Sequence, residues 1–228
     1  MIAGYARRGL WALTAWAALL LLGTLTHQPP PQTDFPGYAR YITTGEFLIS
    51  HLLASILGAA VGALGAVALF IVLAGRGRAR LALWALSLFI VGNTLATSVF
   101  GVAAFAQPAI GRAFLSGLTR EAVAFNDDVY GLPLFATAFS GVLLLASGIV
   151  LFGVAVARSP SLPRLAGIGL ALSGPLFALI GVILADVVQT VGAVLMTASA
   201  AWIAWSAREE PAPTPRPGEV AGAAMRPS

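Results

Sequence analysis

The sequence predicts an all-α membrane protein: six transmembrane helices in a bundle, an outer amphipathic helix between helices three and four, and a disordered C-terminal tail. Three observations predict it. The 228-residue chain is 58% hydrophobic and only 10% charged, where a soluble domain carries about 25% charged residues. Six charge-free stretches approach the roughly 20 residues that cross a hydrocarbon core of about 30 Å. Every basic residue is an arginine, ten falling on one side of the implied topology and three on the other. Such a bias orients membrane proteins with the richer side in the cytoplasm.

This composition excludes an ordinary soluble enzyme and a disordered regulator. The absence of cysteine excludes a disulfide framework, a thiolate nucleophile, cysteine-ligated zinc and iron–sulfur clusters. The net charge of +4 comes from scattered arginines, so nucleic acid is not an expected partner.

The first span, residues 9–26, comes just after Arg7 and Arg8. No small-x-small site precedes His27, so it is read as an uncleaved helix and not a signal peptide. The segment after it holds Pro29, Pro30, Pro31 and Pro36, which predict an extended polyproline start. The second span covers residues 47–75, with Thr43-x-x-Glu46 in the form of a capping box before it. The third, residues 81–106, is expected to end at Gln107-Pro108, because proline ends helices readily.

Between spans three and four, Ile110, Phe114, Leu118, Ala122 and Phe125 recur at helical spacing opposite Arg112, Ser116 and Arg120. This pattern predicts one amphipathic surface helix. Asn126, Asp127 and Asp128 then cap the fourth span, residues 129–157, with Pro133 in its first turns.

Residues 165–207 would make one helix of 43 residues, about 65 Å long and twice the membrane. Asp186 would also lie near its middle, where a carboxylate costs about 2.5–3.5 kcal/mol. The chain is therefore expected to turn there, giving spans 165–185 and 187–207 with Asp186-x-x-Gln189 as a second capping box. Residues 1–208 form the transmembrane domain. Residues 209–228, with prolines alternating from Pro211 to Pro217, form a disordered cytoplasmic tail. Trp11, Trp84, Trp202 and Trp205 fall at the inner interface, and Tyr38, Tyr41 and Tyr130 at the outer one. The expected location is the plasma membrane, with both termini cytoplasmic.

Polar residues inside the spans are the functional candidates. His51 shares a helix face with Ser55, Gly58, Gly62 and Ala66, so it faces protein; Gly58-x-x-x-Gly62 permits close helix approach. Asn93 falls near the middle of the third span. In the fifth, Gly169 and Ser173 form a small-residue face, and Pro175 supplies a kink and a hinge. His51, Asn93, Asp186 and Gln189 are the candidate ligand-binding residues of an outward-facing polar site. No catalytic set, metal-ligand set or cofactor motif is present: there is no Walker A sequence, HExxH or Gly-x-Ser-x-Gly elbow.

The residues support three readings. The first is a protein that binds or transports a small solute. The second is an accessory subunit packed against other membrane proteins or a second copy. The third, a membrane-embedded redox enzyme using His51, has the least support.

Overall fold

The computed structural model describes residues 2–26, 29–180 and 186–208, and their regular structure is helical throughout. Four described stretches are long and apolar enough to cross a membrane: Gly4–Thr26, Gly45–Leu115, Leu132–Ala157 and Val187–Ser206. A shorter apolar stretch, Arg164–Ile180, lies beside them. The expected tail at 209–228 falls outside the described residues, as do His27 and the turn before Asp186.

Helix α1 spans Ile2–Thr26 and α2 spans Phe35–Ile42. Helix α3 (Gly45–Ser50) runs through a π-helical segment (His51–Leu57) into α4 (Gly58–Leu73). The chain then reverses at Arg76 and Gly77, where Gly77 has φ +76°. Glycine reaches that conformation without the clash that a Cβ would bring. Thus the 71-residue stretch Gly45–Leu115 is two arms, the second being α5 (Ala79–Leu115). After α6 (Thr119–Val129) come α7 (Leu132–Ala157) and α8 (Arg164–Gly174). A second π-helical stretch (Pro175–Ile180) precedes α9 (Asp186–Ser206).

The long helices form a closed ring in which each packs on two neighbours, in the order α4, α1, α9, α8, α7, α5 and back to α4. Trp16, Phe89 and Phe152 fill its middle, Phe89 meeting both other rings edge-on at 5.1 and 6.2 Å. Glycine permits the tightest crossings. A Cβ at Gly92 would collide with the backbone of Leu145, and one at Gly148 with the backbone of Phe89, so α5 and α7 touch main chain to main chain. Close approach of this kind strengthens dispersion and carbonyl contacts where no hydrophobic effect operates. Of the expected packing residues, Gly62 seats the Trp16 ring against α4 and Gly169 admits Ser199 from α9. Gly58 makes only ordinary contacts, and the closest approach of α1 and α4 falls instead at Gly65, against Leu13. Ser173 is fully buried, and its Oγ donates to Leu170 O in its own helix at 2.8 Å.

Several sequence expectations need correction. Helix α5 does not end at Gln107-Pro108 but continues to Leu115. Gln107, Pro108, Ile110 and Gly111 are buried there, and Gly111 lies against Ala39 and Ile42 of α2, so tertiary packing outweighs the lost hydrogen bond. The single amphipathic helix is broken at Gly117, whose φ is +101°. It forms the end of α5 and the separate α6, and Leu118 and Phe125 of its expected apolar stripe are exposed. Helix α2, unforeseen, is capped by Asp34, whose Oδ1 accepts from Gly37 N at 3.1 Å, with Pro36 in its first turn. The next cap is Thr44, not Thr43: Thr44 Oγ1 accepts from Phe47 N, while Thr43 bonds back to Ala39 O. Asn126, Asp127 and Asp128 lie in the last turn of α6, and Gly131 caps α7. Tyr38 is no interfacial anchor but is 4% exposed.

Candidate functional site

The antiparallel pair α1 and α4 sets the frame. Gly9 of α1 faces Ala68 near the arginine-rich turn, and Gly23 faces Ala54 toward the opposite end. The first half of the ring is densely filled. In the second half two cavities adjoin.

The smaller cavity, about 120 Å³, is lined by Thr24, Ser50, His51, Ser55 and Gln189 among others. The larger, about 220 Å³, reaches Trp16, Asn93, Leu145 and Ala178. Leu20, Ser55, Phe100, Phe177 and Gln189 border both, so the two adjoin as the polar and apolar parts of one chamber region. A concave apolar site with a few convergent polar groups is the usual form of a small-molecule pocket.

His51 begins the first π-helical segment and is 6% exposed. Its Nδ1 lies 2.9 Å from Phe47 O. A carbonyl only accepts, so Nδ1 carries the proton in the neutral ring and Nε2 holds the lone pair. The ring lies tilted against Phe47 at 4.2 Å and meets Phe100 edge-on at 6.5 Å. Asn93, 8% exposed, donates from Nδ2 to Ala59 O at 2.9 Å and so ties α5 to α4. This meets the cost of placing an amide in an apolar span. The amide oxygen remains the group that Asn93 can offer to a ligand. Gln189, from the first turn of α9, is half-buried at the junction of the two cavities. Asp186 opens the same helix, and its side chain is outside the described residues.

The local chain geometry explains why these groups meet. A π-helical turn inserts one extra residue and rotates the helix beyond it, and such turns gather at functional sites. Residues of the first segment, His51, Ala54 and Ser55, face Phe177 and Ala178 of the segment that begins at Pro175. Proline lacks the amide hydrogen that the regular helix needs, which accounts for the irregularity there. Pro175 itself lines a separate shallow pocket with Ser147 and Leu179.

Sequence reasoning missed the aromatic walls, Trp16, Phe100 and Phe177, and a neighbouring groove. That groove, about 290 Å³, lies between α1 and α3 under Glu46 and shares Gly23, Ser50 and Ala54 with the polar end of the chamber. It also missed a buried polar cluster at the same end of the bundle. Gln107 Nε2 donates to the Tyr38 hydroxyl, with Tyr130 close by. Burial pushes the Tyr38 phenol up to about 12, a hydrogen bond with Gln32 opposing it slightly. Burial, and then the nearby Tyr38, push the Tyr130 phenol higher still.

Thr24 and Ser50 donate to carbonyls of their own helices, Leu21 O and Phe47 O. Among the described residues no three His, Asp or Glu side chains come together. Comparison with protein-family profiles, with curated proteins and with solved structures gives no match.

Proposed function

We propose that this chain is an integral protein of the plasma membrane that binds a small, largely apolar molecule with one hydrogen-bonding end. The observation that carries the reading is the convergence of His51, Asn93 and Gln189 on a chamber whose other walls are apolar. His51 and Gln189 would hold the polar end, with Asn93 offering its oxygen deeper among the aromatic rings. The groove beneath Glu46 supplies a lateral route from the lipid, suited to a molecule already dissolved there.

On the same reading the chain crosses the bilayer six times with both termini cytoplasmic. The reversal at Gly77 divides the longest stretch into two spans, and Arg164–Ile180 supplies the fifth. Arginine sorting supports the orientation. Arg7, Arg8, Arg76, Arg78, Arg80, Arg158, Arg164 and Arg208 belong to one end of the ring, while Arg40, Arg112 and Arg120 belong to the other with Asp34, Glu46, Glu121, Asp127 and Asp128.

The test is mass spectrometry of the small molecules that co-purify with the full chain in mild detergent. One species is expected in the wild type. It should be lost from Ala96→Phe, which fills the larger cavity, and reduced about fivefold by His51→Leu, since each hydrogen bond contributes about 1 kcal/mol. Equal recovery from the wild type and Ala96→Phe would overturn the reading.

A further inference from the structure

The arginine-rich end carries a feature independent of the chamber. Two reversals meet there, residues 74–80 after α4 and residues 158–163 after α7. Arg76 Nε donates to Ser161 Oγ at 2.7 Å, and Arg78 donates from a terminal nitrogen to Arg158 O. These bonds clamp one turn to the other and gather five guanidinium groups, those of Arg76, Arg78, Arg80, Arg158 and Arg164.

Part of that charge has a structural use. Arg76 also donates to Val72 O at the end of α4, where a cation offsets the helix dipole. Glu209, Glu210 and Glu219, which follow α9 at this same end, lie outside the described residues. The sequence contains no Asp or Glu between Glu46 and Glu121, nor between Asp128 and Asp186. Arg80, Arg158 and Arg164 are exposed, and the Nε–H of Arg78 is buried with no acceptor among the described residues. Like charges brought this close repel unless an anion lies among them.

Within a turn of the arginines, α5 exposes Leu83 and Trp84, and α8, on the other side of α7, exposes Leu165 and Ile168. A partner must therefore present anionic oxygen to the turns and hydrocarbon to the helices beneath. Phosphate suits guanidinium through paired charge-assisted hydrogen bonds, and basic turns at the cytoplasmic ends of spans attract acidic headgroups. We propose that the joined turns 76–80 and 158–164 form a binding site for an anionic phospholipid, its phosphate held by Arg80, Arg158 and Arg164 and its acyl chains lying along α5 and α8.

Native mass spectrometry and thermal unfolding of the full chain in detergent test this, with phosphatidylglycerol, cardiolipin, phosphatidylcholine and inorganic phosphate as probes. The wild type should retain either acidic lipid about tenfold better than phosphatidylcholine. R80Q/R158Q/R164Q should abolish that preference, whereas R112Q/R120Q at the opposite end should keep it. Should the triple variant lose its helical spectrum, Arg164→Gln alone must lower retention about threefold. No preference in the wild type would overturn the site, and so would a preference that survives these substitutions. Equal stabilisation by inorganic phosphate would reassign it to a free anion and overturn the lipid.

Discussion

A polar side chain inside an apolar bundle is costly unless hydrogen-bonded, and Asn93 with Ala59 O and His51 with Phe47 O each meet part of that cost. The Tyr38–Gln107 hydrogen bond, with Tyr130 close by, carries a pH signature. The folded protein keeps both phenols protonated well above the ordinary value of 10, Tyr38 to about 12. The stability that Tyr38 lends is therefore whole below pH 10 and drains away between about pH 10 and 12. Its ceiling is about 3 kcal/mol. Thermal unfolding in detergent from pH 8 to 12 should show this decline, and Tyr38→Phe should flatten part of it. At this scale the rare polar groups were legible, because in so apolar a chain each one demands a reason. Phe100 and Phe177 were not, since nothing in sequence separates a phenylalanine facing a cavity from one facing lipid.

Between elements, contact is set by the absence of side chains. Gly92→Ala should push α5 off the Leu145 backbone and cost about 1–3 kcal/mol, the usual penalty of overpacking. Gly101→Ala on the same helix meets open space and should be neutral or gain up to about 1 kcal/mol. Unfolding midpoints of the two variants, measured side by side, distinguish crossing geometry from helix propensity. The long apolar helices could be read directly, but their ends could not. Pro108 was expected to stop α5, yet the burial of Gln107 and Gly111 against α2 carries the helix onward. Helix α2 was hidden by the prolines before it, although Asp34 and Pro36 were its start signal. The break at Gly117 lay inside an apolar spacing that looked continuous.

For the whole molecule, the orientation rests on charge sorting between the ends of the ring, and it can be checked without removing any native cysteine. Because the chain has none, Gly75→Cys and Ser116→Cys each provide a single reactive thiol beside a turn. In intact cells a membrane-impermeant maleimide should label position 116 and spare position 75; labelling of both, or the reverse, refutes the topology. The two halves of the ring also differ in how they are built. Toward the arginine turns, Leu10, Leu73, Ala204 and Ala207 are sealed to within about one per cent of full burial, whereas the chamber is bordered by the two π-helical segments. On the proposed reading, a molecule admitted beside His51 enters a blind alley. Passage to the far side would require unzipping the best-packed contacts in the protein at every cycle, so the architecture suits a receptor or reservoir better than a conduit.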